Sequence, residues 1–416
     1  MTPPPGTGAA VPPDAGAALP PGAVACLAMA AFASGLSLRV NDALLPRLAG
    51  EFGVSLGQAS QVIGVFAIAY GVAQLLFGPL GDRFGKYRVI AWACAASAAT
   101  ALLCAAAPGF DGLRVARGLA GASAAAVIPL SMAWIGDVVP YEQRQPVLAR
   151  FLIGQIVGLS AGVWLGGFAA DHLTWRAPYW LIAAIFAAVS GVLFVLNHRL
   201  PAHARAMKQG DGSPLQRVVS EFGIVLSHDW ARVILCLVFV EGLFLYGPFA
   251  FIAAHVHHAF GLSLSAAGAM LMLFGLGGLL FAVASRRLVS WLGEKGLAKW
   301  GGALMCAALL VVGYGPAWAW SLGGCFVLGV GFYMLHNTLQ VNATQMVPER
   351  RGAAVSAFAA SFFLGQAAGV SLGGVWVGVA GTASFMALGA VGVLVVAFVF
   401  VVRLRRRVVA AASLVP

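Results

Sequence analysis

The stretch Gly78-Pro-Leu-Gly-Asp-Arg-Phe-Gly-Lys-Tyr-Arg-Val89 lies between two apolar segments and decides the fold class of this chain. It gathers glycines and charged side chains in a sequence otherwise poor in charge, namely Gly78, Gly81, Asp82, Arg83, Gly85, Lys86 and Arg88. Glycine permits a tight reversal and a close approach of helices. Basic side chains hold a loop at the cytoplasmic surface of a membrane, and a carboxylate can bind a neighbouring helix end. The stretch therefore predicts a short cytoplasmic loop between two membrane-spanning helices.

The composition supports this interpretation along the whole chain. Hydrophobic residues make up 61% of the 416 residues and charged residues only 9%, whereas a soluble protein carries about a quarter charged residues. Apolar runs of about 20 residues, long enough to cross a hydrocarbon layer of ~30 Å, recur throughout. We expect an all-α polytopic membrane protein with twelve transmembrane helices. The predicted spans are 22–46, 58–80, 88–107, 113–135, 147–170, 178–197, 231–255, 264–286, 297–315, 320–345, 353–376 and 382–402.

The net charge of +11 reflects topology, because the basic residues are distributed unevenly. Of the 25 lysines and arginines, 20 fall in even-numbered loops, in the C-terminal tail or at adjacent helix ends. Arg47 and Arg176 lie in odd-numbered loops, and Arg39, Arg114 and Arg117 lie within predicted spans. The positive-inside rule then gives both termini a cytoplasmic location. We expect a multi-pass protein in the lipid bilayer of a bacterial-type cytoplasmic (inner) membrane, with no nucleic-acid partner.

The segments outside the predicted spans carry no sign of a catalytic or metal-binding domain. Residues 1–21 contain seven prolines and no lysine or arginine, which predicts a disordered cytoplasmic lead and not a signal peptide. We expect a cytoplasmic linker at 198–230 and a basic cytoplasmic tail at 403–416. The cysteines lie within predicted spans, without paired or metal-type spacing, and are interpreted as small packing residues. We expect no cofactor and no metal.

The two halves of the chain, 22–197 and 231–402, contain equivalent short sequences, which indicates a duplication. Phe52-Gly-Val-Ser-Leu56 reappears as Phe260-Gly-Leu-Ser-Leu264, 208 residues later. Gly154-Gln155-x-x-Gly158 reappears as Gly365-Gln366-x-x-Gly369. The expected architecture is two pseudo-symmetric six-helix bundles, with Gln155 and Gln366 as an equivalent pair at a central cavity.

The opening loop resembles the G-x-L-x-D-R-x-G-[RK] motif between the second and third helices of the major facilitator superfamily. That resemblance implies two six-helix repeats that rock about a central site near the membrane midplane. It also implies a gating role for Gly78, Asp82, Arg83, Gly85 and Lys86, in which Asp82 locks the inner gate when the cavity faces outward by reaching the other half near the eleventh span. The second copy of the loop has Ser290 where Asp82 would be and Glu294 where Lys86 would be.

Two further segments are similar to motifs of the same superfamily. Arg114-Val-Ala-Arg117-Gly118-Leu-Ala-Gly121 resembles R-x-x-Q-G-x-G, with Arg117 in place of glutamine. The fifth span resembles the antiporter signature G-x-x-x-G-x-x-x-G-P-x-x-G-G of exporters, although Val163 replaces the proline. Its small residues also fit simple helix packing, so both interpretations stay open. They are Gly154, Gly158, Gly162, Gly166 and Gly167.

Only two acidic residues lie well inside predicted spans, Asp42 in the first and Glu241 in the seventh. Burial disfavours the charged form of a carboxyl group, so each is a candidate proton carrier. Asn41-Asp42 with Pro46 resembles the first-span segment of proton-driven multidrug exporters. We expect Arg114 to tune Asp42, although a structural ion pair of Asp42 with Arg39 or Arg114 is the alternative. For Glu241 the alternative is a neutral acid hydrogen-bonded to a neighbouring helix.

Polar and aromatic residues of several spans are candidates for substrate binding. The tenth span carries an unusually polar run, Tyr333–Gln345, and other candidates lie in the second, fifth, seventh and eleventh spans. Hydrogen bonding between helices is the alternative role. The set is Tyr70, Gln74, Gln155, Tyr246, His336, Asn337, Gln340 and Gln366. His255, His257 and His258 are interpreted as interfacial residues at the outer end of the seventh span.

We therefore expect a secondary transporter, a functional monomer, that exchanges protons for small amphipathic or aromatic compounds by alternating access. Proton-driven uptake of a small organic anion or a sugar is the alternative, in which Arg39 and Arg114 bind the anion. A non-transporting membrane receptor or a membrane enzyme belongs to a different class. No nucleophile–base cluster supports an enzyme, and no G-x-x-x-x-G-K-[ST] phosphate loop supports ATP-driven pumping.

Overall fold

The computed structural model describes residue 20 and residues 22–205 and 214–412. The rest of the predicted lead, residues 206–213 of the predicted linker and the last four residues of the predicted tail lie outside the described residues. The described part of the chain is helical, without a β-strand. The expected all-α class is confirmed.

Fifteen α-helices are numbered in chain order. They are α1 (Ala23–Arg39), α2 (Leu45–Phe52), α3 (Leu56–Ala59), α4 (Gln61–Phe84), α5 (Lys86–Ala105), α6 (Phe110–Ala124), α7 (Val127–Val138), α8 (Tyr141–His172), α9 (Ala177–Arg199), α10 (Pro214–Ser227), α11 (Asp229–Phe249), α12 (Ile252–Phe260), α13 (Leu264–Tyr314), α14 (Trp318–Gln345) and α15 (Arg351–Ala412). Two 3₁₀ turns, Ala202–Arg205 and Pro348–Arg350, lie in the connections.

Nine helical segments of the described residues are long and apolar enough to cross a membrane. Two of them, α13 and α15, contain a glycine with non-helical backbone angles, Gly293 (φ 61°, ψ −178°) and Gly381 (φ 82°, ψ 169°). Each of these helices therefore divides into two passes. Together with the shorter apolar helix α1, the passes fit the twelve-helix architecture.

The first predicted span, 22–46, is not one continuous helix. Helix α1 ends at Arg39, residues 40–44 form a turn, and α2 begins at Leu45. Pro46 has no N–H to donate to the carbonyl of Asp42, and short polar side chains compete with helical hydrogen bonds. The carbonyl of Asn41 instead accepts bonds from the N–H groups of Leu44 and Leu45, both at 3.1 Å. Asn41 and Asp42 therefore lie on a break in the helix.

Two large apolar cores correspond to the two halves of the chain. One consists largely of residues between Ala23 and Ala204, and the other largely of residues between Val225 and Leu404. The halves meet along two seams, where α4 packs on α15 and α8 packs on α13. Helix α10, within the predicted linker, contacts both α4 and α15.

The bundle has two ends, which we call the Gly57 face and the Asp82 face. The Gly57 face carries the connections at 53–55, 173–176, 261–263 and 315–317, and the Asp82 face carries Asp82, Gly85 and helix α10. The backbones of the two halves touch at the Gly57 face, where a Cβ added to Gly57 would lie 2.0 Å from the carbonyl oxygen of Gly374. On the other seam, a Cβ on Gly167 would lie 2.1 Å from the carbonyl oxygen of Leu264. The structure is therefore closed at the Gly57 face.

Candidate functional site

Asp42 forms a buried ion pair with Arg39, one turn earlier in the chain. The Arg39 guanidinium lies 3.3 Å from Oδ2 of Asp42, and their side chains are 5% and 0% exposed. The other oxygen, Oδ1, has no hydrogen-bond partner. Arg39 also reaches across to the second half, with its guanidinium 3.8 Å from the ring centre of Tyr246 and 5.2 Å from that of Phe249. Cation–π contacts of this kind stabilise a buried guanidinium. The pair thus connects the acid of the first half to aromatic rings of the second.

Arg114 does not lie beside Asp42, which corrects the expected tuning pair. Its side chain is 41% exposed. The guanidinium donates to the side-chain oxygen of Gln61 at 2.9 Å and pairs with Asp111 at 3.5 Å. Arg117, three residues later on α6, is the buried arginine. The two lie on the same side of α6, but Arg114 lies one turn nearer the start of the helix, close to the surface, whereas Arg117 lies deeper in the bundle.

Arg117 is bound by backbone carbonyls and by an aromatic ring. It donates to the carbonyl oxygens of Ser37, at 3.0 Å, and Val62, at 3.3 Å, and stacks 4.1 Å from the ring centre of Phe66. Asn41, on the break after α1, bonds the Tyr179 hydroxyl at 2.6 Å. With its amide turned over, the Asn41 oxygen also accepts from Arg117. Arg117 therefore holds the broken part of the first span in position.

Glu241 is paired with His336, which links two residues that the sequence assigned to different roles. Nδ1 of His336 on α14 lies 2.8 Å from Oε2 of Glu241 on α11. Glu241 is completely buried, whereas the His336 side chain is 17% exposed. Oε1 of Glu241 has no partner. The pair can hold a proton on the imidazole or on the carboxyl group, because either can serve as the donor.

Aromatic rings surround this pair. The imidazole of His336 lies 4.7 Å from the rings of both Phe332 and Phe362 and 5.3 Å from that of Phe358. Tyr246 then continues the cluster, at 5.4 Å from Phe362. Because Arg39 lies on Tyr246, one aromatic cluster joins the Asp42–Arg39 pair to the Glu241–His336 pair.

A small cavity lies beside this cluster, between α1, α8, α11, α13 and α14. Its volume is about 20 Å³, and its lining includes Arg39, Ser160, Tyr246, Phe249 and Phe274. A space of this size holds about one water molecule, whereas an organic ligand needs several hundred Å³. In this conformation the cavity is therefore too small for an organic ligand.

The other polar residues predicted for substrate binding have different environments. Tyr70, Gln74 and Gln366 are buried, Gln155 and Asn337 are partly exposed, and Gln340 is exposed. The Tyr70 ring lies across a seam at 4.4 Å from Phe363. Neither amide atom of Gln366 has a hydrogen-bond partner, and Oε1 of Gln74 has none. Unpaired buried amides are costly, so these groups are open to a polar ligand or to water.

The glycines of the fifth span lie against the backbone of the first span. A Cβ added to Gly154, Gly158, Gly162 or Gly166 would lie 2.5, 2.2, 2.8 or 1.9 Å from carbonyl oxygens of α1 or of the turn that follows it. Any larger side chain would push α8 away from α1. The stripe therefore acts in helix packing here, while Gly167 faces the other half, as described above.

The opening loop forms a one-residue break between α4 and α5. Gly85 has φ 87° and ψ 120°, a backbone conformation that favours glycine. A Cβ on Gly81 would meet Leu130 at 2.6 Å, whereas Gly78 has open space around it. Arg83 is exposed on the surface.

Asp82 has its partner within its own half in this structure, which is closed at the Gly57 face. Its contact near the eleventh span, expected when the cavity faces outward, stays a prediction. Its carboxylate pairs with Lys86 at 3.0 Å, and Lys86 pairs with Asp137 of α7 at 2.7 Å. All three residues belong to the first half. The structure is closed at the opposite face, which is not the conformation for which a contact of the loop with the second half is expected.

Sequence reasoning missed Asp171, which lies at the very end of α8. Its carboxylate accepts hydrogen bonds from the first turn of α13, in the other half. An acid in the first position after a predicted span resembles an ordinary surface residue, so no sequence signal distinguished it. Within the described residues, no three His, Cys, Asp or Glu side chains come together to hold a metal ion.

The outer-end histidines have structural contacts. Nδ1 of the buried His255 lies 2.8 Å from the Thr382 hydroxyl, next to the bend at Gly381. Nδ1 of His257 lies 2.6 Å from the carbonyl oxygen of Leu262. His258 is exposed.

Comparisons with known proteins agree with this fold. The chain is 25% identical to an uncharacterized MFS-type transporter, YceJ of Bacillus subtilis (strain 168), over 82% of this chain and 86% of that protein. It is 29% identical to the multidrug export protein EmrB of Escherichia coli (strain K12) over 39% of this chain. The matched part covers 32% of that protein's length. The crystal structure of the nucleoside transporter NupG has the same fold, with a TM-score of 0.70 at 16% identity, covering 91% of this chain and 98% of that one. The family model of the Major Facilitator Superfamily matches residues 27–350, and the chain belongs to this superfamily.

Proposed function

We propose that this membrane transporter couples the efflux of small amphipathic or aromatic compounds to proton entry by alternating access. The observation that carries the proposal is the Glu241–His336 pair, enclosed by aromatic rings next to the seam between the halves. A transporter of this family needs no catalytic centre, because it acts by exposing one binding site alternately to the two sides of the membrane.

The pair has the chemistry that proton coupling needs. Glu241 is fully buried, so an unpaired negative charge there is disfavoured, while His336 is partly exposed and can exchange protons with water. A proton taken up by His336 can pass along the 2.8 Å contact to the carboxyl group. Entry of a ligand between the rings would disturb that contact. Protonation and ligand binding would then compete for one site.

The aromatic cluster supports an amphipathic or aromatic substrate. Phe332, Phe362 and Tyr246 offer ring faces, and the unpaired amide of Gln366 offers both a donor and an acceptor. Binding pockets of this kind combine apolar walls with a few polar groups. Asp42, Gln74, Gln155, Asn337 and Gln340 would add polar contacts when the halves separate.

The direction and the topology are part of the same proposal. The distribution of basic residues favours a cytoplasmic location for the Asp82 face and for both termini, in a bacterial-type inner membrane. Similarity to the multidrug export protein EmrB and the fifth-span glycine pattern favour efflux. When the Gly57 face opens, Asp82 would leave Lys86 and bind the start of α15. We propose that one chain is the working unit.

Transport in proteoliposomes with an imposed pH gradient tests the coupling. With a fluorescent aromatic compound as the probe, we expect Glu241→Gln to abolish uphill movement while exchange of preloaded probe persists. Glu294→Gln is the matched control, because Glu294 accepts a hydrogen bond from Asn342 and is exposed, away from the aromatic cluster. Full proton-dependent uphill transport by Glu241→Gln would refute the coupling role.

Proton-driven uptake of a small organic anion is a second candidate, because Arg39 lines the cavity. Arg39 and Arg117 outnumber Asp42 in the buried part of the first half, which leaves a net positive charge to attract an anion. A pH dye in weak buffer separates the two functions. Export predicts that ligand binding releases protons from the solubilised protein, and anion symport predicts proton uptake.

A further inference from the structure

The two halves are joined at the Gly57 face by a carboxylate that binds a helix end. Oδ1 of Asp171, at the end of α8, accepts from the N–H of Leu264 at 3.2 Å. Oδ2 accepts from the N–H and from the hydroxyl of Ser265, both at 2.6 Å. Leu264 and Ser265 are the first two residues of α13. One side chain of the first half therefore satisfies three donors of the second half.

The first turn of α13 needs these bonds. The first N–H groups of a helix have no partner within the helix, and they carry a partial positive charge. Ser263 accepts from the N–H of Ala266 at 3.2 Å, which leaves the N–H groups of Leu264 and Ser265 to another acceptor. A carboxylate is a favourable acceptor there, because hydrogen bonds to a charged group are stronger than those between neutral groups.

The position of Asp171 allows these bonds to break and form again. Asp171 is exposed, so water can replace its partners when the halves separate. The backbones are in contact one turn away, between Gly167 and Leu264, so this point must part when the Gly57 face opens. Such an exposed contact contributes little enough free energy to be reversible.

We infer that Asp171 is a latch: it stabilises the conformation closed at the Gly57 face by capping α13, and it is released when that face opens. The latch acts on the conformational equilibrium and does not touch substrate, so it does not depend on the proposed substrate, coupling or direction. The carboxylate of Asp82 in the opening loop was expected to bind a helix end at the Asp82 face. In this conformation Asp171, at the Gly57 face, makes a contact of that kind.

Distance measurements between spin labels test the latch without substrate or pH gradient. Gly50→Cys on α2 and Ala319→Cys on α14 provide exposed labelling sites near the Gly57 face, one on each half. A Cβ at Gly50 meets no atom within 4 Å. Cys236 and Cys306, which are not buried, are first replaced by serine, while the other cysteines are buried and stay unlabelled.

We expect Asp171→Ala to raise the ratio of open to closed distances about three- to tenfold, the effect of losing hydrogen bonds to a charged group. Asp171→Asn should have a smaller effect, because its amide oxygen still accepts one N–H. Asp111→Ala is the matched control: it removes an exposed carboxylate of the first half whose ion pair, with Arg114 at 3.5 Å, lies within one half, and it should leave the distances unchanged.

Identical distance distributions for Asp171→Ala and the unmodified chain would overturn the latch. A rise of equal size in Asp111→Ala would overturn it as well, because the loss of any exposed carboxylate of the first half would then open the face. If Asp171→Ala does not yield a monodisperse protein, Ser265→Ala removes only the hydroxyl donor and keeps the backbone bonds. A shift of about twofold in the same direction is expected there, and no shift would count against the latch.

Discussion

The repeated turns at 52–56 and 260–264 have the same backbone and different partners. Gly53 and Gly261 end their preceding helices with φ 63° and 67°. Ser55 and Ser263 then cap the next helix in the same way, accepting from an N–H three residues later at 3.1 and 3.2 Å. Up to this point the two halves are copies of each other.

The difference lies in the third residue of the following helix. In the first half it is Gln58, whose side chain accepts from the N–H of Ser55 at 2.9 Å and closes a capping box. In the second half it is Ala266, which has no acceptor. Asp171 of the opposite half takes over part of the capping instead. In the first turn both capping bonds are formed by neighbouring residues. In the second turn the first two N–H groups of the helix lack a local side-chain acceptor, so they can bind a carboxylate of the other bundle.

The buried acids differ between the halves in a similar way. Asp42 is held by an arginine, which stays charged at any pH of interest, whereas Glu241 is held by a histidine, which can lose its charge. The first pair therefore keeps at least the positive charge of Arg39, whereas the second can be neutral. This contrast predicts different consequences when each acid is replaced by its amide.

The largest effect is expected for Asp42→Asn. Removal of one partner of a buried ion pair leaves Arg39 charged and unpaired, at a cost of about 3–5 kcal/mol in the free energy of unfolding. Thermal unfolding in detergent should show a large fall in Tm, together with a low yield. The double variant Arg39→Met, Asp42→Asn should recover most of that loss. An unchanged Tm in Asp42→Asn would mean that the pair is not ionic.

Glu241→Gln is expected to be milder for stability than Asp42→Asn. Its partner His336 can become neutral and still bond the new amide, so the free energy of unfolding should fall by about 1 kcal/mol. The same thermal unfolding assay compares the two variants directly. Equal losses for both would show that His336 is held as a cation, and the contrast between the two acids would fail.

A smaller effect is expected for Ser55→Ala, which removes the cap of α3 in the self-sufficient turn. Loss of an N-cap lowers the free energy of unfolding by about 1 kcal/mol. The bond that the backbone N–H of residue 55 donates to the Gln58 side chain persists. Ser263→Ala should cost less, because Asp171 still binds the first two N–H groups of α13. Chemical or thermal unfolding of both variants measures the difference. A larger loss in Ser263→Ala would contradict the compensation by Asp171.

The smallest effect is expected for Ala266→Gln, which gives the second turn the residue of the first. Ala266 is exposed, so a glutamine fits, and a completed capping box should stabilise the turn by about 0.5 kcal/mol. In this background we expect Asp171→Asn to open the Gly57 face less than it does alone, as measured by the same spin-label distances. An undiminished effect would show that Asp171 acts through the seam and not through the cap.

Several elements could be predicted from the sequence because they depend on hydropathy or on local backbone chemistry. The long apolar runs and the uneven distribution of arginines among the loops indicate helices in a bilayer. Gly85 indicates the reversal after α4. The break in the first span was not predicted. Pro46 lacks the N–H that would bond the carbonyl of Asp42, but the apolar composition of the segment predicts a continuous helix. The assignment of Arg114 failed because hydropathy does not tell how deep each arginine of α6 lies in the bundle: Arg114 is one turn nearer the start of the helix than the buried Arg117.

The candidate site depended on contacts between distant parts of the chain. Glu241 and His336 were both singled out by their polarity within apolar spans, yet 95 residues separate them. Their pairing, and the aromatic rings around it, depend on how α11, α14 and α15 pack. The functional roles of these residues stay predictions.

The sequence alone determined the membrane class, the approximate spans and the repeated turns, since each follows from the hydropathy or backbone preferences of neighbouring residues. Only the tertiary structure decided which charge meets which partner. Arg117 is buried instead of Arg114, Asp82 pairs within its own half, and Asp171 binds a helix of the other half. The physical reason is that a hydrogen bond or ion pair needs two groups within about 3 Å, and that proximity is set by helix packing, not by the residues beside them in the chain.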